Sequence, residues 1–223
     1  MVNKVNVELI EEGTVKEPLV AISEASSECY DSDAYKKLGL HVIDSGHLSV
    51  AEHAKFQFRV SGVSRVLTHQ LVRKRIGASY SQRSQRYVNE ENFGYVTPDS
   101  VIAKGYEDKF DRKMTELSEL YSEMVADGVP KEDARYVFPN AIFTSLHLSM
   151  NVRSLIDFCK VRMCNRSQWE IRELAYTIRR RIHEVSPELA EFLMPSCKHL
   201  GYCPEGDKCC GYMPTKKEVL GSD

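Results

Sequence analysis

His69-Gln-Leu-Val-Arg-Lys-Arg-Ile-Gly-Ala-Ser-Tyr-Ser-Gln-Arg-Ser-Gln-Arg-Tyr-Val88 is the stretch on which the chain turns. Between Ser61 and Asn89 lie Arg65, Arg73, Lys74, Arg75, Arg83 and Arg86, with no Asp or Glu. The whole chain of 223 residues carries a formal net charge of -2, so this concentration of positive charge is local and has a local cause. Ser64, Ser79, Ser81 and Ser84, three glutamines and two tyrosines are threaded through it. Three readings compete. A solvated arginine face normally mixes signs, which this one does not. Arginines interleaved with serine and glutamine suit bidentate phosphate contacts beside a flat polar ring, and so a nucleotide or nucleotide cofactor. Tyrosines among arginines also suit stacking on single-stranded nucleic acid.

Outward from this stretch the local patterns define the architecture. Before it, Val5, Val7 and Leu9 alternate with polar residues as a short strand, and Ser23–Tyr30 reads as a helix. Ser45–His53 is a polar loop with two histidines that opens a short helix after Leu48. Phe56, Phe58 and Val60 alternate as a strand ending at Ser61-Gly62. Val63, Val66, Leu67 and Leu71 then recur at helical spacing, with Gly77 as the stop. On that helix Gln70 shares a face with Arg73 and Lys74. Ser79–Tyr87 has no apolar face of either period and reads as a polar loop or sheet edge.

Beyond it, Tyr106, Phe110, Met114, Leu117, Leu120, Tyr121 and Met124 make an amphipathic helix, ended by Asp127-Gly128-Val129-Pro130. A short helix from Pro130 carries Arg135. Ile142 to Met150 alternate as a strand. Asn151 caps a helix through Cys164 that carries Arg153 and, four residues on, Asp157, a spacing that an ordinary helix ion pair would satisfy. Ser167-Gln168-Trp169-Glu170 has the capping-box pattern for a helix burying Trp169, Leu174, Ile178 and Ile182. A short helix spans Pro187–Met194. The sum is a mixed α/β chain of α+β type with helices dominating. Residues 1–195 read as a single catalytic domain and residues 196–223 as a cysteine-containing tail.

Composition narrows the function. The chain is neither basic enough for a general nucleic-acid coat nor apolar enough anywhere to cross a bilayer. Its first residues lack a signal-peptide core, so a cytoplasmic location with reduced thiols is expected. Cys29, Cys159 and Cys164 read as small core residues and follow no nucleophile pattern. Cys197, His199, Cys203, Cys209 and Cys210 invite a zinc reading, but C-x5-C-x5-C-C is no standard ligand spacing, and a reduced, partly mobile tail is preferred with no metal. Neither a P-loop nor a Rossmann fingerprint is present.

Taken in order, the polar residues resemble the flavin-dependent thymidylate synthases. That family's hallmark, Arg-His-Arg, seven or eight residues, then Ser, reads here as Arg73-Lys74-Arg75, eight residues, Ser84. Gln70 precedes it and Gln85-Arg86-Tyr87 follow. The likeness extends to Gly46-His47-x-Ser49-x-x-Glu52-His53, to Ala134-Arg135 before Pro139, to Asn151-x-Arg153-Ser154-Leu155, to Arg162 and to Gln168-Trp169-Glu170-Ile171.

The resemblance implies an FAD-dependent methyltransferase that converts dUMP to dTMP, with NADPH and methylenetetrahydrofolate as co-substrates. It implies an α+β fold, helices packed around a small antiparallel sheet, in a homotetramer with active sites shared between chains. No nucleic acid or membrane partner is implied. Carried over, Ser49, Arg73, Lys74, Arg75, Gln82, Asn151, Arg153 and Asp157 would contact FAD, with His47 near the flavin ring. Gln70, Leu71, Val72, Arg73, Gln82, Arg83, Ser84, Gln85, Arg86, Arg135 and Arg162 would bind dUMP, Arg162 as the catalytic residue polarising the uracil. Two positions depart from the family pattern: Lys74 stands for the usual His, and Asp157 for an Asn or His.

Overall fold

The computed structural model describes residues 5–31 and 33–221. Along the chain run β1 (Asn6–Leu9), α1 (Pro18–Tyr30), α2 (Lys36–Asp44), β2 (Lys55–Ser64), α3 (Arg65–Leu71) and β3 (Ala78–Gln82). Then follow α4 (Asp99–Ala103), α5 (Glu107–Ala126), α6 (Lys131–Ala134), β4 (Phe143–Asn151), α7 (Val152–Arg162) and α8 (Trp169–Val185). Three short helices close the described chain: α9 (Pro187–Ala190), α10 (Ser196–Leu200) and α11 (Lys216–Leu220). The strands form one small antiparallel sheet in the order β1-β2-β4-β3, so the α+β expectation holds at this level. No helix among the described residues is long and apolar enough to cross a membrane.

The chain divides into two compact units. Among the described residues, one gathers Val5, Asn6, Val60–Arg73 and Tyr80–His147; the other gathers those of Val7–Arg59, Lys74–Ser79 and the chain from Leu148 to Gly221.

In the first unit, β2 runs two residues past Gly62 and turns directly into α3. Ser64 explains the junction: its hydroxyl accepts from the Leu67 N–H at 3.2 Å and caps α3. Val63, assigned above to the helix, therefore belongs to the strand. The helix also ends at Leu71, well before Gly77. β3 occupies the edge of the sheet, and the absence of apolar alternation there is resolved by hydrogen bonding: the Tyr80 hydroxyl donates to the Leu71 carbonyl at 3.0 Å. Burial pushes that phenol up to about 12. Beneath α5, Tyr121 and Phe138 rings lie 4.5 Å apart, and Phe93 meets Phe138 edge-on at 5.3 Å. Of the expected apolar stripe on α5, Met114 and Tyr121 are buried, whereas Tyr106 lies outside the helix and both it and Leu120 are exposed.

The second unit is built on Phe56, Phe58, Leu148 and Met150 from the sheet and Leu155, Ile156, Leu174, Ile178 and Ile182 from α7 and α8, all buried. At about 1.5–3 kcal/mol per buried large apolar side chain, this set dominates its stability. α1 packs on α2 so closely that a β-carbon at Gly39 would enter the Leu19 carbonyl. Asn151 caps α7 as expected, its side chain accepting from the Ser154 N–H at 2.9 Å. The α8 cap is corrected: Gln168, rather than Ser167, accepts from the Glu170 and Ile171 N–H groups at 3.1 Å each. The helix therefore starts one residue later, Ile171 turns inward, and Trp169 stays 38% exposed. The helix after Ser186 is shorter than expected, ending at Ala190.

The tail is more ordered than a loop. Cys203 is buried and its N–H donates to the Pro214 carbonyl at 2.6 Å, while Arg166 pairs with Glu205 at 3.5 Å. All seven thiols are free, and among the described residues no group of three or more His, Cys, Asp or Glu is arranged to hold a metal ion. Cys159 is core, with burial pushing its thiol up to about 12. Cys29, by contrast, is exposed, and Cys164 is half-buried.

Candidate nucleotide and flavin sites

The stretch from His69 to Val88 is divided between the two units, and with it the candidate residues. Gln70, Arg73, Gln82 to Arg86 and Arg135 fall in the first unit; His47, Ser49, Lys74, Arg75, Asn151, Arg153, Asp157 and Arg162 fall in the second.

In the first unit β3 delivers Gln82 inward, where its amide donates to the hydroxyls of Thr68 and Thr144 at 3.2 Å each. Both threonines are buried, so the amide nitrogen of Gln82 is fixed, and its carbonyl oxygen remains able to accept a hydrogen bond. Past the strand, the Ser84 hydroxyl accepts from the Arg86 N–H at 3.3 Å, forming a tight turn. Arg83 makes two contacts to Glu90, at 2.7 and 3.4 Å. Glu90 is buried, and Arg65, whose Nη2 donates to the Arg83 carbonyl at 3.2 Å, stands close to it as well. Burial lowers the Arg65 pKa, Glu90 opposes that shift, and nearby Arg135 adds to it. Arg86 pairs with Glu132 at 2.8 Å, and the Arg135 Nε donates to the Glu132 carbonyl at 2.9 Å. Leu71 has a fully buried side chain and a carbonyl engaged by Tyr80, whereas Val72 is exposed.

In the second unit, Lys74 pairs with Asp157 at 3.1 Å, and Arg153 pairs with Glu52 at 2.7 Å. The ordinary Arg153–Asp157 helix pair is therefore not what forms: each residue reaches a different segment. The Lys74–Asp157 contact joins the two positions that depart from the family pattern. A cation for His at one is met by an anion for Asn or His at the other. The pair is 26% and 42% exposed, so its worth is modest; a double-mutant cycle with Lys74→Met and Asp157→Asn, followed by urea melts, is expected to give a coupling of about 1 kcal/mol or less.

Gly77 lies at φ +69°, its carbonyl accepting from the Asn151 N–H at 2.9 Å, while the Ser154 hydroxyl donates to the Ile76 carbonyl. These bonds clamp the segment after Arg75 to the start of α7. Among the described residues no carboxylate lies within ion-pairing distance of Arg73 or Arg75, and both are exposed. His47 and Ser49 are exposed beside the 3-10 turn Val50–Glu52, which replaces the expected helix, and Arg162 is half-buried at the end of α7.

From the sequence, Arg65 stands in the basic stretch and Glu52 in the histidine motif with no role assigned to either, and Thr68, Thr144, Glu90 and Glu132 carry no signal for the site. The acids lie outside the basic stretch, so no local pattern associates them with it. The threonines look like ordinary helix and strand residues.

The candidate residues of the second unit supply cations, amides and hydroxyls, while those of the first concentrate guanidinium groups around a turn. Comparison with known proteins is decisive at this point. The family model described as thymidylate synthase complementing protein matches residues 9–188. The flavin-dependent thymidylate synthase of Geobacter sulfurreducens is 42% identical over 219 residues, covering 92% of this chain and 94% of that one. The enzyme of the same name from Nitratidesulfovibrio vulgaris is 41% identical over 188 residues, covering 80% and 76%, and that of Pyrococcus abyssi 43% over 193 residues, covering 82% and 78%. Such agreement decides against the single-strand-binding reading. The chain belongs to the flavin-dependent thymidylate synthase family.

Proposed function

We propose that this enzyme carries out the reductive methylation of dUMP to dTMP, with methylenetetrahydrofolate as carbon donor and NADPH as reductant of FAD. Family membership carries the reading, and the charge distribution supports it: Arg73 and Arg75 present exposed guanidinium groups free of carboxylate partners among the described residues. Each is suited to a phosphate oxygen.

The second unit's donor set fits a flavin dinucleotide. Arg75, Lys74 and Arg153 offer positive charge to a diphosphate, Ser49 offers a hydroxyl, and Gly77 keeps the backbone low where a side chain would not fit. When bound, FAD supplies the hydride chemistry that protein side chains lack. In this reading Ser49, Arg73, Lys74, Arg75, Gln82, Asn151, Arg153 and Asp157 hold it, and His47 lies near its ring. Asn151 acts with its amide nitrogen, since its oxygen caps α7.

Gln70, the main chain of Leu71 and Val72, Arg73, Gln82, Arg83, Ser84, Gln85, Arg86 and Arg135 bind dUMP. The Arg162 guanidinium stabilises negative charge spread over N3 and the carbonyls of the uracil, which raises the nucleophilicity of carbon 5 without a covalent enzyme adduct. Cys159 agrees with this: it is a buried core group whose thiol pKa is raised by burial, unsuited to nucleophilic attack.

The assembly proposed is a homotetramer with active sites shared between chains. Ile76, Tyr87 and Tyr136, each more than three-quarters exposed beside candidate residues, support coverage by a neighbouring copy. The fold is that of the family, with residues 1–195 as the catalytic domain and 196–223 as an appended tail, in a cytoplasmic enzyme. The purified protein is expected to show oxidised-flavin absorption and to form dTMP from dUMP only with NADPH and methylenetetrahydrofolate together. A colourless protein, or one that forms no dTMP with every component present, overturns the proposal.

A further inference from the structure

We infer that Glu132 occupies the place of the nucleotide phosphate and competes with it for Arg86. The inference rests on the dUMP reading above. Two of the guanidinium groups assigned to dUMP converge on this one residue: Arg86 Nε meets the Glu132 carboxylate at 2.8 Å, and Arg135 Nε donates to the Glu132 carbonyl at 2.9 Å. The carboxylate is anionic and planar, and it engages Arg86 as a phosphate oxygen would.

A second ion pair in the same unit shows why this one is displaceable. Arg83 grips Glu90 through two contacts, and the Glu90 side chain is 10% exposed, so that pair is a fixed brace. Arg86 and Glu132 share one contact, with side chains 51% and 50% exposed. Water reaches both partners, and an exposed pair of this kind contributes little, so an incoming anion can separate it.

A phosphate monoester is the better partner. It brings a greater charge than a carboxylate and three oxygens, so it can accept from Arg86 and from the remaining N–H groups of Arg135 together. Glu132 reaches Arg86 through its side chain and Arg135 only through its main chain. The Tyr87 ring, with the Arg86 guanidinium 5.4 Å from its centroid, holds Arg86 nearby while the partner changes. Glu132 thus lowers affinity for the phosphate while keeping Arg86 in position before substrate arrives. Its helix α6 is a single turn at the surface, so a neutral isostere leaves the core untouched.

The test is a titration of the purified flavoprotein, wild type and Glu132→Gln, with dUMP and separately with deoxyuridine, followed by calorimetry. Glu132→Gln is expected to bind dUMP about two- to five-fold more tightly, the scale of an exposed ion pair, and deoxyuridine unchanged. Thermal melts of the two proteins check that the fold is retained. Unchanged or weaker dUMP binding overturns the inference and makes Glu132 a positioning group for Arg86. Equal tightening toward deoxyuridine also overturns it, because the effect then does not act on the phosphate. If the wild type itself fails to bind dUMP, the dUMP reading falls, and this inference with it.

Discussion

Arg162→Ala is expected to lower turnover by two to three orders of magnitude while the protein still folds and still binds flavin. None of the residues assigned to dUMP is a cysteine, and burial raises the thiol pKa of the core residue Cys159. Activation of carbon 5 must then come from a fixed positive charge beside the ring, and removing one pre-organised donor to a developing charge typically costs 10²–10³ in rate. Arg162 ends α7 and is only half-buried, and its charge is favourably placed at a helix C-terminus, a contribution of about 1 kcal/mol or less. Steady-state turnover, flavin content and a thermal melt separate these effects. Arg162→Lys keeps the charge but loses the planar fork, and an intermediate rate is expected. Near-normal turnover in the alanine variant would remove Arg162 from the mechanism.

Gly77→Ala is expected to have the largest effect on stability and to strip the flavin with it. Gly77 sits at φ +69°, a conformation that costs an L-residue roughly 1–2 kcal/mol. A β-carbon there would also enter the Ser154 side chain and come within 2.6 Å of the Asn151 amide. Neither neighbour can yield cheaply. Ser154 is buried and bonded to the Ile76 carbonyl, and Asn151 caps α7. Strain and clash together should cost about 3 kcal/mol or more, and a melting point lower by roughly 6–12 °C in a chain of this size. Flavin loss should accompany it, because Lys74 and Arg75 hang on the segment that this contact clamps. A variant that melts like the wild type and keeps its full flavin would show that the clamp is not what holds the loop.

Glu90, Glu132, Glu52 and Asp157 show where local reading reached its limit. Within His69–Val88 the sequence contains no acid, and the stretch reads as uncompensated charge. Folding brings Glu90 and Glu132 onto Arg83 and Arg86, and Asp157 onto Lys74 from a helix more than eighty positions later in the chain. Asp157 illustrates the point best. Helical spacing paired it with Arg153, yet both side chains found partners on other segments. An i,i+4 pair is worth only a few tenths of a kcal/mol, so any tertiary alternative outweighs it.

Several elements were legible because their causes are local. Asn151 capping α7, the alternation of β4 and the stripe inside α8 each follow from side-chain periodicity or a single hydrogen bond. Errors fell where two local signals competed. Val63 fits a helical stripe, but Ser64 can cap α3, and the cap set the boundary. Ser167 and Gln168 are both able to cap α8, and choosing between them decided whether Trp169 or Ile171 turned inward.

By itself the sequence determined the family, the α+β class and which basic residues are candidates for a nucleotide and a flavin. These depend on residue type and order, which survive without coordinates. The tertiary structure alone decided that β3 is a strand, because its evidence is hydrogen bonding to β4 and not an apolar face. It also decided which guanidinium groups stay open to a ligand and which are already held, since ion pairing depends on distance in space, about which spacing along the chain says nothing.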